Sequence, residues 1–264
     1  MIPYYVVNSF TAEQFSGNPA GVCLIEGQNW PAPALMQRIA AENKLSETAF
    51  VAKREDGSYD LRFFSPGSEV GLCGHATLAT TFILSQLAPQ QTMFHYHTRD
   101  ELVAAKKLEN NRYALQFPAW QPKEVVLDET IAAALNGITP VSLCGTRDLI
   151  AVLDSEAAVQ HFTPNQEAIS RLPEKYLGLL ITAKGSQTDF VDRSFFPKLG
   201  IPEDPVCGSA KCSLIPLWSQ ALHKKTFCGR QLSPRTGTVY CQMQENHVEI
   251  SGSAALYLQG KINI

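Results

Sequence analysis

The sequence predicts an α/β (α+β) protein made of two pseudo-symmetric halves, each a barrel-like β-sheet wrapped around one central helix. Three observations carry that expectation. The pattern Cys-Gly-x-Ala occurs at 73–76 and again at 207–210, so the copies lie 134 residues apart in a chain of 264. Each copy follows a strand-like segment with paired phenylalanines and a proline, Arg62-Phe63-Phe64-Ser65-Pro66 and Arg193-Ser194-Phe195-Phe196-Pro197. Each copy also opens an apolar run. Two matched features in the same order, half a chain apart, signal an internal repeat.

The elements follow in sequence. Tyr4-Tyr5-Val6-Val7 is rich in aromatic and β-branched residues and predicts a strand. Ser16-Gly17-Asn18-Pro19 predicts a turn, with Asn18 as a turn residue, and Ala20 to Ile25 a second strand. Leu35, Met36, Ile39 and Ala40 have helical spacing and predict a helix over 32–43. Strands are predicted over 48–52 and 60–64. Ala76 to Leu84 is apolar nearly all round, as a helix buried on every side must be. Strands return near 92–97, 101–108 and 112–117. Pro118 and Pro122 then interrupt the pattern, which places a boundary between domains 1–118 and 119–264, with the last strand free to return to the first domain. In the second half, strands are predicted over 177–183 and 188–191, a helix from Ser213 to Leu222, and final strands over 237–242, 246–250 and 254–258.

Bulk properties exclude several classes. The composition is 45% hydrophobic and 18% charged, ordinary for a globular protein. A formal net charge of −3 leaves no basic footprint for nucleic acid. No run is long and apolar enough to span a membrane, and the first residues lack a signal-peptide pattern, so the expected location is cytoplasmic. Seven scattered cysteines argue against a disulfide framework. Cys207 and Cys212 form no zinc motif with a second pair, so no metal site is expected. Dinucleotide, phosphate-loop and hydrolase-elbow motifs are all lacking, which disfavours a dinucleotide enzyme, an NTPase and an α/β-hydrolase.

The repeat itself suggests chemistry. A helix start presents unpaired N–H groups and a partial positive charge. Two such starts aimed at one cleft would hold the carboxylate of a small acid. Glycines at 74 and 208 let a ligand approach the backbone. A cysteine at a helix start gains thiolate character, so Cys73 and Cys207 are candidate acid/base groups, with the small buried hydrophobe as the bland alternative. Glu47 enters a strand among apolar neighbours, where burial tunes a carboxylate toward neutral-pH proton transfer. His75 is a candidate relay or orienting group. Asp204 is a candidate acid/base or helix-start anion, and Ser209 a substrate contact or a cap.

These residues also resemble a known family, the phenazine-biosynthesis PhzF-like isomerases, which share the diaminopimelate epimerase fold. The resemblance runs from Phe10-Thr11 through Phe15-Ser16-Gly17-Asn18-Pro19-Ala20-Gly21-Val22. It continues with Leu45-Ser46-Glu47-Thr48-Ala49-Phe50-Val51, with Glu69-Val70-Gly71-Leu72-Cys73-Gly74-His75-Ala76-Thr77, and with Glu203-Asp204-Pro205-Val206-Cys207-Gly208-Ser209-Ala210. It implies cofactor-independent proton transfer on a small carboxylated substrate, a biosynthetic role and a homodimer. It places the acid/base glutamate on Glu47, a glycine-histidine pair on Gly74-His75, the functional aspartate on Asp204 and the serine on Ser209. Asn18 and Gly208 join Gly74 and Ser209 as substrate-binding candidates.

The chain departs from the family pattern at Cys207, usually threonine, and at Lys211, commonly histidine. With Cys73, Cys207 resembles the cysteine pair of diaminopimelate epimerases and proline racemases. Three readings therefore stand: a glutamate-driven isomerase, a two-cysteine racemase or epimerase, and a non-catalytic binding protein for small acids.

Overall fold

A computed structural model describes residues 1–264. The chain forms strands β1 (Ile2–Ser9) and β2 (Asn18–Ile25), helix α1 (Pro33–Asn43), strands β3 (Glu47–Lys53), β4 (Tyr59–Phe64) and β5 (Glu69–Val70), helix α2 (Gly74–Leu87), and strands β6 (Met93–His97), β7 (Leu102–Lys107), β8 (Arg112–Pro118) and β9 (Lys123–Glu124). Then come α3 (Glu129–Ala134), β10 (Ser142–Gly145), β11 (Leu149–Val152), α4 (Glu156–His161), α5 (Gln166–Ser170), β12 (Leu179–Lys184), β13 (Phe190–Phe196), β14 (Ile201–Asp204), α6 (Lys211–Leu222), β15 (Thr226–Gln231), β16 (Gly237–Met243) and β17 (His247–Ile262). Two compact units result, one of residues 1–116 with 251–264 and one of residues 117–250.

In the first unit the strands close into a ring. β1 pairs antiparallel with β2, β2 runs parallel to β3, β3 antiparallel to β4, and β4 parallel to β6. β6, β7 and β8 form a meander. β17 joins β8 and pairs with β1, from Ile2 opposite Ile262 to Ser9 opposite Ala254. That closes a barrel with no free edge. Helix α2 packs against β1, β2, β3 and β7. Ala76, Leu78, Ala79 and Ile83 are buried, and its hydroxyls are satisfied: Thr81 Oγ1 meets the Tyr96 hydroxyl at 2.8 Å and Ser85 Oγ meets that of Tyr113 at 3.0 Å. A helix buried on all sides tolerates polar atoms only when each has a partner. Outside the ring, Met36, Ile39 and Ala40 of α1 cover Tyr4, Cys23 and Phe50.

The second unit repeats the order of pairings. β10 pairs antiparallel with β11, β11 runs parallel to β12, β12 antiparallel to β13, β13 parallel to β15, and β15 antiparallel to β16. The short β14 lies on β13 as β5 lies on β4. Helix α6 follows β14 as α2 follows β5. Its Trp218 stacks on Phe190 and donates to Thr182 Oγ1 at 3.0 Å. A second apolar layer, absent from the sequence expectation, joins α3, α4 and α5 to the sheet through Ile131, Val159, Phe162, Ile169, Leu179 and Phe195.

Four sequence expectations need correction. Asn18 is the first residue of β2 and fully buried, not a turn residue. The turn is made by Gly17 instead, at φ +67°, where a Cβ would lie 2.3 Å from the Ser9 carbonyl oxygen. The two closing strands expected over 246–250 and 254–258 are one continuous strand, because Ser251–Ser253 pass from one unit's ladder to the other's without a turn residue in a turn conformation. The second central helix begins at Lys211, not Ser213. Cys207 lies ahead of it, in a run of tight turns where Lys211, Cys212 and Ser213 each donate to the carbonyl three residues back. No helix is long and apolar enough to cross a membrane.

Candidate active site

Three adjacent strand ends in the first unit converge on the start of α2. Ser9 ends β1 and pairs with Asn18, which begins β2; Ala20 of β2 lies opposite Glu47, which begins β3. Ser9 Oγ donates to the His75 carbonyl at 2.7 Å and so ties β1 to the helix start. Cys73 is the N-cap residue, extended at φ −145°, with Gly74 and His75 forming the first turn.

A chain of contacts links the side chains. Cys73 Sγ lies 3.4 Å from His75 Nδ1, and His75 Nε2 lies 3.2 Å from Glu47 Oε2. Asn18 Nδ2 is 3.3 Å from His75 Nδ1. Burial removes the imidazole from water and pushes its pKa down to about 3. His75 is therefore neutral at ordinary pH. Its Nε2–H donates to the Glu47 carboxylate, which leaves Nδ1 as the acceptor for the Cys73 thiol or the Asn18 amide. A neutral imidazole held between a carboxyl and a thiol can take a proton on one nitrogen and release one from the other. Spacing gave no sign of this chain, since Glu47 and His75 are 28 positions apart and meet only through β3 and α2.

The second unit holds a related group. Asp204 ends β14, opposite Ser194 of β13, and its Oδ1 accepts from the Val206 N–H at 3.1 Å. The Cys207 thiol hydrogen-bonds the Asp204 carboxyl and lies 3.4 Å from Ser209 Oγ. Burial raises the Asp204 carboxyl to about 6 against the lowering effects of Cys207 and Lys211. Burial, followed by the nearby Asp204 charge, holds the Cys207 thiol far above the usual range, so it stays protonated.

Two further residues here have no role assigned from the sequence, although Lys211 stands out there as a departure from the family pattern. Arg147 donates to Ser209 Oγ at 3.0 Å and to the buried Asp148 at 3.2 Å, with its guanidinium 5.0 Å above the Trp120 ring. An Arg-Asp pair after a short strand reads as solvated surface, and nothing in the sequence joins it to Ser209. Lys211 is wholly buried, with Nζ 2.8 Å from Asp192 Oδ2 and 2.9 Å from Gln231 Oε1. The same Gln231 oxygen accepts from the Cys207 N–H at 2.8 Å, and its Nε2 donates to the Asp204 carbonyl at 2.6 Å. Lys211 and Gln231 thus clamp the loop that carries Asp204 and Cys207.

The two buried titrating groups have opposite effects on stability. Unfolded His75 takes a proton near its ordinary 6.5, while the folded form resists until about 3. Its contribution is therefore lost as pH falls from about 6.5 toward 3, at about 1.4 kcal/mol per pH unit at most. Asp204 is raised, so its cost to the folded state appears as pH rises from about 4 through about 6. Melting temperature measured against pH should fall less steeply on the acid side in His75→Gln than in the wild type; identical slopes would exclude a buried neutral histidine.

The chain matches known proteins along its length. The family model for phenazine biosynthesis-like proteins, PhzC-PhzF, matches residues 7–260. An uncharacterised isomerase of Pseudomonas aeruginosa is 41% identical and covers 100% of this chain and 99% of its own. The human phenazine biosynthesis-like domain-containing protein is 33% identical, with 99% of each chain covered. A crystal structure of a PhzF-family protein from Enterococcus faecalis superposes with a TM-score of 0.95 at 42% identity, covering 100% of this chain and 99% of that one. A probable proline racemase from Agrobacterium radiobacter shares the fold at a TM-score of 0.67 and 12% identity, covering 100% of this chain and 93% of that one.

Proposed function

Because the chain belongs to the PhzC-PhzF family of phenazine biosynthesis-like proteins, we propose that it is an isomerase that moves a proton on a small carboxylic acid without a cofactor. The observation that carries this reading is the buried chain from Glu47 through His75 to Cys73. Isomerisation by proton transfer needs one group that removes a proton from carbon and can return it elsewhere. Glu47 does this here, and the neutral His75 holds it, shares its proton and keeps water from competing. The N–H groups at the start of α2, beside Gly74, receive the substrate carboxylate. In the second unit, Asp204, Ser209 and the backbone at Gly208 are that unit's candidate groups for contacts to the acid, and in the first unit Asn18 fixes the His75 ring.

A second reading has its own support. Cys73 touches His75, and Cys207 is bonded to Asp204, so each cysteine has a proton-exchanging partner. A racemase or epimerase would use Cys73 as the base and the protonated Cys207 as the acid. A cytoplasmic homodimer in a biosynthetic process is the setting we assign to either reading; light scattering on the purified protein checks the dimer.

Incubation in D2O with a panel of small amino, hydroxy and unsaturated carboxylic acids, followed by NMR, tests the proposal. Deuterium should enter a carbon position of at least one acid. Ligand-dependent stabilisation with no deuterium entering any bound acid would instead make this a non-catalytic binding protein.

A further inference from the structure

The Glu47–His75–Cys73 chain offers more than a path for protons. We infer that the thiolate of Cys73, the imidazole of His75 and the carboxylate of Glu47 form a binding site for one thiophilic divalent cation of the zinc class. The three side chains present one sulfur, one nitrogen and one oxygen, and these donor atoms all lie within 4.8 Å of one another. With bond lengths of about 2.0–2.3 Å, the edges of a tetrahedral zinc site are about 3.3–3.6 Å. The existing separations are 3.2 Å from His75 Nε2 to Glu47 Oε2 and 4.0 Å from the same nitrogen to Cys73 Sγ. Small side-chain rotations bring all three onto one ion.

Charge and protonation favour the same assignment. A thiolate and a carboxylate cancel the two charges of the cation, so the occupied site is neutral and avoids the cost of a net buried charge. On binding, the Cys73 thiol proton leaves to solvent, and the Nε2 proton of His75 moves to Nδ1. There the Asn18 side chain, already 3.3 Å away, turns its amide oxygen to accept it. That is the partner a metal-bound imidazole usually needs on its other nitrogen. Three protein ligands leave a fourth position open, the form of a reactive or exchangeable site rather than a structural one. Sequence spacing hid the set because its members come from a strand start and a helix start, not from one short motif.

The consequence for activity rests on the proposed proton transfer: an ion on Glu47 and Cys73 takes both bases, so zinc inhibits turnover and substrate acid competes with it. Binding itself is read without turnover. Metal-free protein is titrated with Zn2+ and with Cd2+, whose thiolate complexes absorb in the ultraviolet. One equivalent should bind, with release of a proton and a cadmium–thiolate band. Cys73→Ser should abolish the band, and Cys73→Ser, His75→Gln and Glu47→Gln should each weaken binding at least about tenfold. Cys228→Ser, at the most exposed thiol, should leave binding unchanged. A band that survives in Cys73→Ser overturns the site. If that variant fails to fold, X-ray absorption of the wild type with zinc decides: one sulfur with nitrogen and oxygen neighbours supports the site, and a shell without sulfur or with several overturns it. Tight binding with undiminished deuterium incorporation would leave the metal site standing and remove Glu47 and Cys73 from catalysis.

Discussion

Glu47→Gln is expected to slow proton exchange into the substrate by roughly 10²–10⁴-fold, the usual worth of a positioned acid/base group, while leaving the melting temperature nearly unchanged. The replacement keeps the shape of the side chain, and its amide oxygen still accepts from His75 Nε2–H. What it loses is only the ability to carry a proton. Deuterium incorporation by NMR and thermal unfolding on the same sample separate the two effects. A rate within tenfold of the wild type would sink the glutamate-driven reading. The Cys73→Ser and Cys207→Ser pair provides the converse: loss of turnover in the double variant, with Glu47→Gln still active, would move the assignment to the cysteines.

Lys211→Met should destabilise the protein by roughly 3–5 kcal/mol, because it strips the wholly buried Asp192 of its only cation. A drop of about 2–4 °C in melting temperature for each kcal/mol follows for a chain of this size. Replacing both members, Lys211→Met with Asp192→Leu, should recover most of that loss, since a buried ion pair contributes little over a well-packed apolar pair. The stability recovered in the double variant should not restore function in full. Gln231 would still lack the ammonium that fixes its oxygen, and the loop bearing Asp204 and Cys207 would be less firmly held. Unfolding by denaturant on the four proteins of this cycle checks the coupling; additive losses would mean that the pair is not the unit of stability.

The fold class was legible because two signals agreed. The Phe-Phe strands and the Cys-Gly-x-Ala helix starts recur in order, and the pairing sequence of the two units recurs with them. The long, apolar α2 and the period of α1 were readable for the same reason: packing writes them into many residues. The helices α3, α4 and α5 were not, since each has only five or six residues and no period can develop over so short a span. β15 was missed because its Thr226-Phe227-Cys228-Gly229 opening reads as a helix end followed by a turn. In the site, residues at the helix starts stood out through glycine and cysteine spacing. The partners of those residues did not. Arg147, Asp192 and Gln231 come from strands and turns far away in sequence, and each is an ordinary residue until the fold brings Arg147 to Ser209 and the other two to Lys211.

The strand β17 has a consequence for how the protein is made. Its first residues belong to the second unit, and residues 251–264 complete the first. The first unit's ring closes only when β17 pairs with β1, Ile2 against Ile262. On a ribosome, residues 1–116 must therefore wait for residues 251–264. The second unit, continuous over 117–250, has all its strands in hand earlier and is the natural first to fold. Until residues 251–264 emerge, β1 and β8 present open edges, and edges of that kind recruit other strands. Nascent chains stalled before Ser251 should thus be the aggregation-prone species.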